Sequence, residues 1–298
     1  FSAILPFLAL SLLSCGSGSP VAKSGTSFTS TVSGKVQYED KEYGVDGWTG
    51  NTYYKAVRYA TVEIVDSVKY IPIASTVTDS SGNYSLSFGT DGLTQVYVRV
   101  ISETSSQTDK PDVQIRNLSS SVYSANGSNF TPSEGTSTFN ISIPTSDSVA
   151  GAFNILDIFT SSGEFINSLS GGNPPALKVY WEIDNPYGTY YCHGYDTDYC
   201  LEGEGIYVLN KPGGDTDEYD DDVLWHEYGH FVAAKFSKDD SQGGQHSLSD
   251  NTQDLRLAWS EGWGNFFPGA VKTWLKSKNL SLSADSSMPL AQYVDTTG

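Results

Sequence analysis

The chain has 298 residues, with 17 Lys and Arg against 35 Asp and Glu and a formal net charge of −18. At about 100–200 residues per domain that length predicts two domains, and so acidic a balance excludes a phosphate-binding surface and nucleic acid as a partner. Only 17% of residues are charged while 13% are aromatic, which excludes global disorder and points to a secreted, β-rich protein. The single methionine is Met288, so the sequence is expected to be a fragment at its N-terminus. It stops at Gly298 without a closing element, and the same expectation extends to the C-terminus.

Residues 1–15 read as the remnant of a secretory signal. Phe1 to Leu13 is apolar apart from Ser2, Pro6 and Ser11, too short for a membrane-spanning helix of about 20 residues. The run ends Leu12-Leu13-Ser14-Cys15-Gly16, which resembles the lipobox of bacterial lipoproteins. That resemblance implies lipidation of Cys15, contact with a membrane only through the lipid, and a place on the bacterial cell envelope, at the outer membrane, the cell surface or in the periplasm. The other reading is an ordinary signal with an incidental Cys. Residues 16–33, rich in Gly, Ser and Thr, read as a flexible tether. Cys192 and Cys200 remain as an even pair in an oxidising compartment, so a disulfide is expected; the rival is a metal site using Cys192, His193 and Cys200, which lacks a fourth ligand nearby.

Residues 34–148 are expected to form an all-β antiparallel sandwich. Lys35–Tyr38, Ala60–Val65, Ile73–Thr78, Tyr84–Phe88 and Val96–Ile101 alternate and are separated by turns such as Asp79-Ser80-Ser81-Gly82-Asn83. Within residues 34–102 the pattern resembles carboxypeptidase-regulatory-like (transthyretin-like) domains, carried by Gly34 and Val36, Ala60 and Val62, Thr78, Asp79, Gly82 and Tyr84, and Tyr97-Val98-Arg99-Val100. The resemblance implies a non-catalytic module. The insertion from Glu39 to Tyr54, with four aromatics, reads as a cap on the sandwich or a ligand loop. The Ser/Thr-rich extension to residue 148 contains strand-like Val113–Ile115 and Thr138–Ile143.

At Val149 the texture changes, and residues 149–298 are read as a second, α+β domain. Its start places Phe153, Leu156 and Phe159 at helical spacing. After a strand at Gly205–Asn210 and an acidic stretch from Asp215 to Asp222 comes Val223-Leu-Trp-His226-Glu227-Tyr-Gly-His230-Phe-Val232. On a helix, His226 and His230 at i and i+4 present both imidazoles to one metal ion. Glu227 is rotated toward a metal-bound water rather than the metal. A catalytic zinc needs three protein ligands and an open position; Glu261, in the apolar helix-like segment Leu257–Phe267, supplies the third. The acidic stretch reads as a solvated helix N-terminus favoured by the dipole, with calcium binding as the alternative. His246 reads as a solvated loop residue or a substrate contact.

This constellation resembles the gluzincin metallopeptidases, from about Gly205 to Phe267. The resemblance implies a zincin-type metallopeptidase domain with one zinc ion held by His226, His230 and Glu261, Glu227 as general base, and a peptide or protein substrate. It also implies that the strand before the metal helix lines the cleft, making Ile206, Tyr207 and Val208 the candidate edge for β-addition. Gly264 stands where Ala is common in the family, a departure expected not to affect ligation. Asn265, at i+4 from Glu261, is a candidate partner for a ligating His or a packing residue. The family's oxyanion donor lies well beyond the third ligand; Tyr293 is the downstream Tyr here, and that role stays unassigned. Two rival functions remain, a non-catalytic envelope adhesion or scaffold lipoprotein with a vestigial zinc site, and a zinc hydrolase acting on a non-peptide substrate.

Overall fold

A computed structural model describes residues 27–280 except 45–46, 93, 105–108, 186, 195–199, 212, 215 and 245–251. The signal and lipobox reading with Cys15, and the readings of His246 and Tyr293, fall outside the described residues. Strands β1 (Phe28–Gly44), β2 (Gly47–Ala56), β3 (Ala60–Asp66), β4 (Pro72–Val77), β5 (Asn83–Thr90), β6 (Val96–Thr104), β7 (Val113–Arg116), β8 (Ser124–Asn126), β9 (Gly135–Thr138) and β10 (Ile141–Ile143) precede helix α1 (Ala150–Ser170). Strands β11 (Leu177–Trp181), β12 (Tyr190–Cys192) and β13 (Gly205–Val208) then lead to helices α2 (Asp221–Phe236) and α3 (Leu255–Ser277). Among the described residues no helix is long and apolar enough to cross a membrane.

The strands gather into two sheets. One joins β10, β1 and β2, with β5 and β9 also on β1; the other runs β12-β13-β11-β7-β6-β3-β4, with β8 on β6. Alternation explains β3 and β6: Val62 and Ile64 pair with Val100 and Val98, and all four side chains are buried. β1 begins at Phe28, so the tether expected over 16–33 gives way to strand in its last residues, where Thr29–Ser33 pair with β5. The antiparallel expectation also needs amending, because β9 and β10 both run parallel to β1. Between them the chain runs alongside β1 past Gly34, where a Cβ would lie 1.8 Å from the Phe139 carbonyl oxygen. Only glycine permits that approach. The insertion from Glu39 to Tyr54 is the β1–β2 hairpin, with Trp48, Tyr53 and Tyr54 exposed.

Helix α1 starts at Ala150, where the sequence changes texture, but the sheet continues across that point: β7 pairs in parallel with β11 from Val113↔Leu177 to Arg116↔Tyr180. A single apolar core includes Val62 and Val98 before α1, Phe153 and Ile158 within it, and Val179, Leu224 and Phe267 after it.

Buried polar contacts fix α1 and α2 against this core. Arg58 Nε reaches Asp157 at 2.7 Å and its Nη1 reaches Glu164 at 2.6 Å. Tyr38 donates its hydroxyl to Asp157 at 3.0 Å, and the Asn154 amide donates to Asp221 at 3.0 Å. At the helix start the Asp220 side chain accepts from the backbone N–H groups of Asp222 and Val223, satisfying donors that a helix leaves open. The solvated reading of the acidic stretch is therefore corrected: Asp217, Glu218, Asp220, Asp221 and Asp222 are all buried. Asp222 gains the Lys272 ammonium at 2.7 Å from α3, because a carboxylate leaves water only for such partners.

Candidate metal centre

His226, Glu227 and His230 lie on α2 and Glu261 on α3. The two helices can meet because glycine stands at their crossing. A Cβ on Gly229 would lie 3.3 Å from Gly264 Cα and 3.0 Å from Phe267 Cβ, and the Trp263 indole donates to the Gly229 carbonyl at 2.8 Å. This approach brings Glu261 onto the histidines. Its Oε2 is 3.2 Å from His226 Nε2, its Oε1 is 3.5 Å from His230 Nε2, and the two Nε2 atoms are 3.0 Å apart. Donor atoms at about 2.0–2.1 Å from a tetrahedral ion lie about 3.3 Å from one another, so the spacing of the three atoms fits a metal ion. These side chains form a group whose ligand atoms all lie within 4.8 Å of one another.

The far sides of the rings support the same conclusion. Asn265 Oδ1 is 3.1 Å from His226 Nδ1, and Ser260 Oγ is 3.2 Å from His230 Nδ1. An amide oxygen can only accept, so His226 carries a ring proton on Nδ1, which leaves Nε2 as the nitrogen a metal would take. Burial pushes Glu261 up, but hydrogen bonds from both histidines outweigh it and hold the carboxyl far below the usual range. Burial lowers His230, and the Glu261 hydrogen bond and the charges of Glu227, Glu261 and Asp239 more than reverse it. The cluster thus favours a positive charge at the point where the three side chains meet.

Glu227 stands beside this group. It is buried, and burial pushes its carboxyl upward. Its Oε2 accepts the Tyr191 backbone N–H from β12 at 2.8 Å.

Two further expectations change, and a third holds. Ile206, Tyr207 and Val208 do not form a free edge: β13 lies between β11 and β12, with Tyr207 paired to Tyr180 on one side and to Tyr190 on the other. The strand at the edge beside α2 is β12. Its short aromatic run Tyr190-Tyr191 before Cys192 was the available signal, though three residues are too few to show a period. Cys192 and Cys200 form the expected disulfide across a separation of eight residues, so neither thiolate is available to a metal and the rival metal site falls. Gly264 is not neutral either, since an alanine Cβ there would lie 2.7 Å from His226 Cε1 and 2.9 Å from its Nε2. Glycine at that position makes room for a ligand ring.

No family model matches the chain, and no curated protein matches it. Among solved structures, a 9R-lipoxygenase from Cyanothece PCC8801 is similar over 49% of this chain and 25% of that one, at 13% identity and a TM-score of 0.23. The chain thus spans about a quarter of that protein's length, and so slight a likeness carries no argument about fold or chemistry.

Proposed function

We propose that the chain is a zinc metallopeptidase of the gluzincin type, with a zincin-like α+β arrangement built from α2, α3 and the β11–β13 end of the larger sheet. The observation that carries the reading is the convergence of His226, His230 and Glu261 at 3.0–3.5 Å, with Glu227 buried next to them and left out of the ligand group. A scaffold site has no use for such a carboxylate.

Zinc, when bound, supplies Lewis acidity toward a water molecule and a substrate carbonyl. His226, His230 and Glu261 would hold the ion. Glu227 takes the proton from the attacking water and passes it to the leaving amine. The Tyr191 N–H holds Glu227 in place, and burial makes its carboxyl a better base than an exposed one. A peptide pairs along β12, whose main chain already reaches the catalytic carboxylate at Tyr191. Residues 1–15 place the enzyme on the bacterial envelope through a lipid on Cys15.

The test compares the unaltered protein with Glu227→Gln for zinc content and for cleavage of a broad peptide library. Both should hold one zinc, and the variant should lose about 10²–10⁴-fold in kcat. Zinc bound by both proteins, with no peptide cut by either, overturns the peptidase reading.

A further inference from the structure

We propose that Ser260 and Asp239 are positioning residues for the metal, forming a relay that fixes the His230 ring from outside the ligand group. The proposal rests on the metal reading above and extends it to two residues that the sequence did not mark. Ser260 immediately precedes Glu261 on α3 and is buried. Its Oγ lies 3.0 Å from Asp239 Oδ2 and 3.2 Å from His230 Nδ1.

The hydrogen count decides the direction. A carboxylate can only accept, so the single hydroxyl proton of Ser260 goes to Asp239. The Ser260 oxygen is then left as an acceptor for His230, which must carry its proton on Nδ1. That assignment leaves Nε2, next to Glu261 Oε1 and His226 Nε2, as the nitrogen for the metal. Asp239 is itself anchored, since its Oδ1 accepts the Ser241 backbone N–H at 3.0 Å.

The two histidines are consequently held in different ways. His226 is oriented by a neutral amide on α3, and His230 by a hydroxyl that a carboxylate polarises from the segment after α2. Orienting partners of this kind alter metal affinity by about 10–100-fold. One turn of α3 supplies both the third ligand and the group that orients the second.

The experiment measures zinc affinity of the full chain by competition with a chelator. Ser260→Ala should bind zinc about 10–100-fold more weakly, and Ser260→Thr, which keeps the hydroxyl, should recover most of that loss. Asp239→Asn, at a half-buried position after α2, should also weaken binding. The double variant Asp239→Asn with Ser260→Ala should bind no more weakly than Ser260→Ala, because Asp239 acts through the hydroxyl. Unchanged affinity in Asp239→Asn, or losses that multiply in the double variant, overturn the relay, and Asp239→Asn decides alone if Ser260→Ala fails to fold. If the unaltered protein binds no zinc, the metal reading falls and the relay with it; zinc bound equally by all variants removes only the relay.

Discussion

Two buried polar clusters in this fold are built on opposite plans. Around Arg58, each charge meets a partner from the chain itself: the guanidinium bonds Asp157 and Glu164, and Tyr38 adds a donor to Asp157. Around Glu261, two imidazole nitrogens and a carboxylate converge on one point at 3.0–3.5 Å, and the ring protons are turned outward to Asn265 and Ser260. The first cluster is complete without a ligand, and the second has the make-up of a cation site. Burial alone does not separate a structural network from a site, whereas the balance of donors and acceptors does.

The two plans predict opposite responses to mutation. Arg58→Ala should have the largest effect on stability, about 3–5 kcal/mol in urea unfolding, because it leaves Asp157 buried without its cation. The folded fraction should bind zinc as the unaltered protein does; a parallel loss of zinc affinity would show the clusters to be one. His226→Ala should do the reverse, abolishing zinc binding at micromolar metal while leaving the metal-free melting temperature unchanged or raised.

Replacing Cys192 and Cys200 by Ser should cost about 2.5 kcal/mol, the loop-closure entropy expected for an eight-residue separation. It should also lower peptidase activity, since β12 ends at Cys192 and carries the N–H that holds Glu227. Gly264→Ala should weaken zinc binding about tenfold or more by displacing the His226 ring. Metal-free stability should stay within about 1 kcal/mol, the helix preference of alanine offsetting the contact. A variant binding zinc at full strength would show that the ring has room to move.

The smallest effect should come from Asp79, an exposed carboxylate in the turn before β5. Burial raises it, but hydrogen bonds from Asn83 and the Ser81 N–H together outweigh this and lower it below the ordinary value. A carboxyl lowered on folding stabilises the protein above its unfolded pKa, and that contribution is lost as pH falls through the folded value. Melting temperatures measured from about pH 5 down to 3 should fall less steeply in Asp79→Asn.

Local patterns made part of this molecule legible in the sequence. His226 and His230 sit one helical turn apart, and β3 and β6 alternate cleanly, so ligands and central strands follow from spacing. Strand β2 shows no such period, because most of Gly47–Ala56 is exposed on both faces. Burial of the acidic stretch depended on Asn154 and Lys272, 67 and 50 residues from the carboxylates they meet. The interior position of β13 depended in the same way on non-local pairing with β11. Gly264 looked neutral because the ring it makes room for belongs to another helix.

The central claim is that His226, His230 and Glu261 close on one zinc ion. Zinc content of the purified chain, measured after desalting and beside Glu261→Ala, tests it most directly. The account predicts one zinc per chain in the unaltered protein and almost none in the variant; a chain that retains no zinc, or a variant that retains it in full, would contradict it.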